Sequence, residues 1–141
     1  VNDFPMRFAW HSALEGLAGW HETGAAPASV KRIVRVDGDI SRDSRGNARG
    51  GLRLSRIDVP VASYGPFSTG GLFCNLTGWQ KPFSRTAIQR LYSTTADYVA
   101  KVRAAAEADV AAGVLLAEDA VTLVRSAQRG PIAEGRTIKS Y

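Results

Sequence analysis

The spacing of hydrophobic residues near the start of the chain is that of an amphipathic helix. Asp3 stands where an N-cap is expected, and Gly24 followed by Pro27 predicts the end of the helix. Gly16 and Gly19 weaken an isolated helix, so we expect them to allow another element to approach closely. The apolar side chains that recur at helical spacing are Met6, Trp10, Ala13, Leu14, Leu17 and Ala18.

A second region with helical spacing lies towards the C-terminal end. Ser84 is placed to cap a short helix, and Thr94 begins the capping pattern of a longer one. Gly113 predicts the end of that longer helix, and Glu118 and Asp119 suit the first turn of a final helix, where negative charge is favourable. The apolar stripe of the longer helix consists of Val99, Val102, Ala106 and Val110.

The residues between these regions have the alternating and turn-rich pattern of strands and loops. Residues 33–36 predict a short strand, and the glycine-rich run 43–51 predicts a turn. Leu52 and Leu54 alternate with polar residues, which predicts a half-buried strand. Residues 57–62 predict an extended edge segment, because its proline cannot donate to a ladder. Residues 64–83 form a long loop rich in glycine and aromatic residues.

Taken together, these patterns predict a single α/β unit in which helical ends surround a short β-hairpin and a long Gly/aromatic loop. The predicted divisions are a helix in 1–28, strands and loop in 29–83, helices in 84–130 and a tail in 131–141. The length of 141 residues fits one domain or a piece of a larger one.

Composition and charge narrow the functional classes. The net charge is +5 at pH 7, and many of the basic residues lie between Lys31 and Arg56. Acidic residues interrupt this stretch and aromatic residues are absent from it, so a solvated hairpin surface is the preferred interpretation over a nucleic-acid interface. No run is long enough for a membrane span. Cys74 is the sole cysteine, so the cellular compartment cannot be read from cysteine usage.

Motifs that carry chemistry are missing from the sequence. It contains no Gly-x-Ser-x-Gly nucleophile elbow, no phosphate loop and no dinucleotide fingerprint. His11 and His21 would lie roughly 15 Å apart along a helix, too far for one metal ion. A buried thiol is the preferred interpretation of Cys74, with a Cys–His nucleophile pair left open. We therefore predict no catalytic residue, no metal and no cofactor for this chain; Asp37, Asp39 and Asp43 lack the spacing of a calcium loop.

The segment from Gly46 to Tyr64, GNARGGLRLSRIDVPVASY, resembles a motif of a family of α/β-hydrolase-domain proteins, carboxylic-ester hydrolases of the serine type. Ser55 departs from that motif, which usually has a proline there. The matching residues are Gly46, Asn47, Gly50, Gly51, Arg53, Asp58, Val59, Pro60, Ala62 and Tyr64.

Both helical regions are similar to the same family, so the resemblance covers roughly residues 9–128. Upstream, Ala28 stands where a second proline is common, and the tail after Gln128 departs from the family ending. The matching positions are Leu17, Trp20, Gly24, Pro27, Leu91, Tyr92, Tyr98, Val99, Val102, 113–116 and 118–120.

The resemblance implies an α/β-hydrolase-like fold and ester hydrolysis without a cofactor. It places the nucleophilic serine, the oxyanion donors and the catalytic histidine upstream of the matched region, so no catalytic residue is carried over. We therefore expect the C-terminal portion of such an enzyme, inactive in isolation. Its expected partner is the N-terminal portion of the same protein or another copy, and a small-molecule ester is the substrate of the whole enzyme.

Other interpretations remain open at this stage. Phe67, Phe73 and Trp79 are candidates for lining a substrate pocket, with core packing as the competing interpretation. A non-catalytic interaction module would use exposed apolar helix faces to bind another chain. A basic nucleic-acid binder is the third and least favoured hypothesis.

Overall fold

The structure is a computed structural model that describes residues 2–67 and 78–130. Its elements, in chain order, are α1 (Met6–Thr23), β1 (Arg35–Val36), β2 (Asp39–Ile40), α2 (Leu54–Asp58), β3 (Ala62–Gly65), β4 (Trp79–Pro82), α3 (Arg85–Leu91), α4 (Thr95–Ala111) and α5 (Ala117–Gln128).

The strands form two small antiparallel pairs. β1 pairs with β2, with Arg35 opposite Ile40, and Asp37 and Gly38 form the turn with positive φ angles of 50° and 87°. β3 pairs with β4, with Gly65 opposite Trp79. A short hairpin is therefore present, because two central turn residues adopt the left-handed conformation that tight hairpins need, but its turn lies before the run 43–51 in which the sequence predicted the reversal.

The strand predicted at Leu52 and Leu54 is wrong. Leu54 instead begins the short helix α2, and Leu54 and Ile57 are both buried. Ile57 packs with Ala62 and Tyr64 of β3. Leu54 packs with Ala106 of α4 in one hydrophobic cluster. The predicted extended segment 57–62 likewise begins as the last turn of α2 and becomes a strand only at Ala62.

The predicted first helix is confirmed, but its start differs. Pro5 is the N-cap and makes no side-chain capping bond, whereas the Asp3 carboxylate accepts a hydrogen bond from the Tyr64 hydroxyl at 3.2 Å. Gly24, at φ 73°, ends the helix by donating its N–H to a backbone carbonyl. A Cβ on Gly16 would lie 2.9 Å from Pro27, so the expected close approach occurs there, but at Gly19 the prediction is wrong because nothing lies within 4 Å of a Cβ at that position.

The predicted caps of the C-terminal helices are confirmed. The Ser84 hydroxyl accepts from the N–H of Ala87 at 3.2 Å. The Thr94 hydroxyl accepts from the N–H of Asp97 at 3.0 Å, and the Asp97 carboxylate accepts from the N–H of Ser93, also at 3.0 Å. Each bond pairs a backbone donor that a helix start leaves unsatisfied.

One hydrophobic cluster joins the C-terminal helices to the loop between α2 and β3, and another joins α1 and α2 to α4 and α5. Within the part of the chain that the structure describes, no helix is long and apolar enough to cross a membrane. One cluster consists of Val59, Val61, Tyr92, Tyr98, Val102 and Ala127. The other consists of Phe8, Leu54, Ala106, Leu115 and Leu123.

Candidate functional site

Asn47 is the centre of the glycine-rich segment that resembled the hydrolase motif. Its side chain is fully buried. The Asn47 Nδ2 donates to the carbonyl of Ala62 at 3.1 Å, and its Oδ1 accepts from the N–H of Tyr64 at 2.9 Å. The amide thus satisfies two backbone groups on β3, and its role is to hold the turn against that strand.

Arg53 joins three parts of the same segment. Its Nε donates to Asp58 Oδ1 at 2.6 Å, its Nη2 donates to Asp43 Oδ2 at 3.0 Å, and its Nη1 donates to the carbonyl of Ala48. Partial burial lowers the pKa of Arg53, but the bonds to both carboxylates outweigh it and the net pKa is raised. The guanidinium therefore stays charged and acts as a clamp.

Asp43 is held ionised within this clamp. Burial raises the pKa of its carboxyl, yet backbone hydrogen bonds from Asn47 and Arg45 and the bond from Arg53 bring the net pKa below its usual value. Across residues 2–67 and 78–130, no three His, Cys, Asp or Glu side chains come together as metal ligands.

Two buried tyrosines anchor the chain on either side of Pro60. The Tyr64 hydroxyl donates to Asp3, and the Tyr92 hydroxyl donates to the carbonyl of Pro60 at 2.9 Å. Burial raises the pKa of both phenols well above the ordinary value. Both side chains are therefore neutral hydrogen-bond donors, and neither serves as a base.

The candidate lining residues Phe67 and Trp79 lie at the same end of the β3–β4 pair. Phe67 is 71% exposed. Trp79 is half-buried and lies so close to Gly65 that a Cβ there would collide with its ring; the Arg42 guanidinium lies 5.4 Å above that ring. Phe73 falls outside the described residues. A role of these side chains in lining a substrate pocket stays a prediction.

His11 and Asp119 form a contact that the sequence did not predict. His11 Nδ1 lies 2.9 Å from Asp119 Oδ2, which links α1 to α5. Asp119 is buried, whereas 46% of the His11 side chain is exposed. A histidine held by a carboxylate is part of the nucleophile-activating arrangement of serine hydrolases. Among the described residues, however, no hydroxyl hydrogen-bonds to His11, so the pair serves as a link between helices.

The chain matches the family model of the alpha/beta hydrolase domain over residues 1–125.

The chain belongs to the alpha/beta hydrolase domain family.

This match confirms the family predicted from the sequence, and it identifies the described helices and hairpins as part of an α/β-hydrolase scaffold. No curated protein and no solved structure matches the chain.

In this hydrolase-domain chain, Asn47, Arg53 and Tyr64 have hydrogen-bonding roles, whereas the matching residues Leu17 and Trp20 are exposed. His21 is exposed in the last turn of α1. Cys74 lies in the stretch 68–77 that the structure does not describe, so its role stays a prediction.

Asp109 on α4 is a titratable group that sequence reasoning missed. Burial first, and then the neighbouring charge of Asp58, raise the pKa of its carboxyl to about 6, against a weaker lowering by a backbone hydrogen bond from Ser55. One carboxylate oxygen of Asp109 is buried without a hydrogen-bond partner. No local pattern signals this, because the burial comes from a segment that is distant along the chain.

A groove of about 420 Å³ runs between α4 and α5 of the hydrolase-domain chain. Its floor is apolar and its rim carries Arg103, Glu107 and Arg125. Such a groove can hold an apolar group, but no residue of the segment 46–64 that carries the family motif lines it. The apolar floor consists of Ala106, Val110, Ala120, Val121 and Val124.

Proposed function

We propose that this chain is the C-terminal part of a serine carboxylic-ester hydrolase and supplies scaffold, not the nucleophile. The observation that supports the proposal most strongly is the match to the alpha/beta hydrolase domain over residues 1–125 in a sequence that has no Gly-x-Ser-x-Gly pentapeptide.

The internal bonding of the family segment also supports a scaffold role. Asn47, Arg53 and Tyr64 are engaged in hydrogen bonds to backbone or carboxylate groups of the same chain. These bonds hold the loop between β2 and β3 rigid. A rigid loop can position a covering segment over a site that is built elsewhere.

In the complete enzyme, the serine would attack the ester carbonyl while a histidine takes and returns the proton. Backbone amides would stabilise the oxyanion that forms. The contribution of this chain would be a covering loop that starts at the β3–β4 pair. Phe67 and Trp79 at its base, and Phe73 within it, would form an apolar wall for the acyl or aryl group of the ester.

Ester turnover tests this proposal. We expect the isolated chain to hydrolyse p-nitrophenyl butyrate no faster than buffer, and turnover to appear only when the serine-bearing upstream portion is joined or added. If the upstream portion alone were as active as the combination, the chain would not be part of the enzyme.

The reading frame upstream of Val1 offers a second and simpler test. We expect an open frame that encodes Gly-x-Ser-x-Gly between a predicted strand and a predicted helix. A frame without that pentapeptide would contradict the proposal.

A non-catalytic interaction module is the alternative, and the exposure of large apolar side chains on α1 favours it. The two proposals differ in activity, because a module binds its partner without ester turnover. A well-folded monomer that binds no partner would count against both.

The structure gives a physical reason to rank nucleic-acid binding last. Several arginines in the basic stretch donate hydrogen bonds to groups of the protein itself. Fewer of their N–H groups are therefore available to bind phosphate groups. Those that donate to backbone carbonyls of this chain are Arg35, Arg42, Arg49 and Arg53.

A further inference from the structure

The groove between α4 and α5, which we name the α4–α5 groove, has an apolar floor that is open to a ligand. Its volume is about 420 Å³, a size typical of sites for small molecules. Ala106 and Val124 lie buried at its base, whereas 49% of Val121 is exposed on its wall. The apolar surface of the groove is therefore left uncovered by the described residues of this chain.

The two helices run antiparallel, which sets the two ends of the groove. The connection 112–116 is short, and Ala106 shares one hydrophobic cluster with Leu123 while Val102 shares another with Ala127. Residues near the end of α4 therefore lie beside residues near the start of α5. The end of the groove next to the connection is lined by Val110, Ala117 and Ala120.

The opposite end of the groove is cationic. Arg103 is eight residues before Ala111, the last residue of α4, and Arg125 is eight residues after Ala117, the first residue of α5. Both arginines therefore stand about 12 Å from the connection, at the same level on the two sides of the groove. No ion pair within residues 2–67 and 78–130 involves either guanidinium, so both are available to an anion.

Glu107 determines which end of the groove suits an anionic group. It lies on the rim four residues after Arg103, one turn closer to the connection, and it is exposed. An anion placed at Glu107 would be repelled, whereas an anion at the level of Arg103 and Arg125 meets two positive charges. The groove is therefore apolar at one end and favourable to an anion at the other.

We propose that the α4–α5 groove is a binding site for an aliphatic carboxylate of medium chain length. The carboxylate lies between Arg103 and Arg125, whose guanidinium groups suit its two oxygens. The alkyl chain runs along the apolar floor towards the connection. This site goes beyond the proposed function and does not depend on it, because no residue of the segment 46–64 lines the groove.

The length of the groove limits the length of the ligand. The distance of about 12 Å between the level of the arginines and the connection matches an extended alkyl chain of about eight to ten carbons. Each methylene that the groove removes from water strengthens binding by up to about fourfold. Affinity should therefore rise with chain length as far as about ten carbons and then stop rising, because further methylenes pass beyond Val110 and Ala117.

A series of chain lengths tests the proposal on the unmodified protein. Isothermal titration calorimetry measures the affinity for butanoate, hexanoate, octanoate and decanoate, each below the concentration at which it forms micelles, and 1-octanol shows the effect of removing the charge. We expect octanoate to bind at least about tenfold more tightly than either butanoate or 1-octanol. Absence of octanoate binding, or affinity that is independent of chain length or of the carboxylate, would overturn the proposal.

A matched pair of variants tests the cationic end of the groove. Arg103→Gln combined with Arg125→Gln removes both guanidinium groups, and Arg85→Gln combined with Arg90→Gln removes the same charge from exposed positions on α3 as the control. We expect the groove variant to bind octanoate at least about tenfold more weakly, with 1-octanol unaffected, and the control to match the unmodified chain. Equal weakening in the two variants would assign the binding to net charge and overturn the proposal.

The position of the ligand is tested at the apolar wall. Val121→Asp places a negative charge there, and because Val121 is half exposed the variant should keep its helical circular dichroism while losing octanoate binding. If this variant did not fold, the amide chemical shifts of the unmodified chain would decide, since octanoate should move the signals of α4 and α5. Shifts confined to α1 would overturn the proposal.

A protein occupant of the groove is the competing outcome. A dimer of the chain that octanoate leaves intact, and that Val121→Asp dissociates, would assign the α4–α5 groove to a second copy and overturn the proposal. A chain that is monomeric with and without octanoate, and that binds it with the expected dependence on chain length, supports the proposal.

Discussion

At the scale of single residues, buried polar groups distinguish this chain from a simple helical hairpin. The side-chain amide of Asn47 forms hydrogen bonds with the backbone of β3, and Arg53 forms ion pairs with both Asp43 and Asp58. Such groups stabilise a fold only while their partners are in place, because an unpaired buried polar group costs free energy. The family motif is therefore a set of mutually satisfied groups, and its effects should appear in stability.

Replacing Asn47 tests this directly. Asn47→Ala leaves the carbonyl of Ala62 and the N–H of Tyr64 unpaired, so we expect the free energy of unfolding to fall by about 2–4 kcal/mol. Urea denaturation measures the change. Ser44→Ala, in the exposed part of the same turn, should cost much less, and equal losses from the two variants would argue against the role given to Asn47.

Asp109 gives a prediction about pH. Its folded-state pKa of about 6 lies above the ordinary 3.8, so the folded chain holds this proton more tightly than the unfolded chain. The contribution to stability is fully present below pH 3.8 and is lost as the pH rises through about 6. Asp109→Asn should therefore raise the free energy of unfolding at pH 7 by about 1–2 kcal/mol, a value reduced for partial exposure.

The control for Asp109 is the same variant at low pH. At pH 4 both proteins carry a neutral group at this position for most of the time, and their free energies of unfolding should converge. A constant difference between the two proteins at pH 4 and pH 7 would show that Asp109 does not titrate as described.

At the scale of elements, the helix starts whose capping bonds lie within three residues could be predicted, and features that depend on distant partners could not. The caps at Ser84 and Thr94 bond within three residues, so the sequence was sufficient. The helix α2 could not be predicted because Leu54 packs with Ala106 of α4 and Ile57 packs with Ala62 and Tyr64 of β3, and a five-residue segment is too short to show a helical period. The bond between His11 and Asp119 joins residues 108 positions apart, and no spacing rule predicts it.

The contact between α1 and α5 yields a prediction at this scale. His11→Ala leaves the buried carboxylate of Asp119 without its partner, so we expect the attachment of α1 to weaken by about 1 kcal/mol. Amide hydrogen exchange should quicken along α1 and remain unchanged in α4. His21→Ala on the same helix is the control, since His21 is exposed; equal effects from the two would contradict the link.

At the scale of the whole molecule, the family could be predicted from the order of weak motifs, and the match over residues 1–125 confirms it. The orientation of α1 could not be predicted in the same way. A helical pattern gives the direction of an apolar face, but it does not say whether the chain itself covers that face. Here Trp10 and Leu14 are exposed, whereas Gly16 lies against Pro27.

The central claim is that this chain contributes to a serine hydrolase without supplying the nucleophile. Labelling with a fluorophosphonate probe, read by intact mass, tests it most directly. We predict that the isolated chain gains no adduct, and that in the complex with the upstream polypeptide the whole adduct resides on that polypeptide. A stoichiometric adduct on a serine of this chain would contradict the claim.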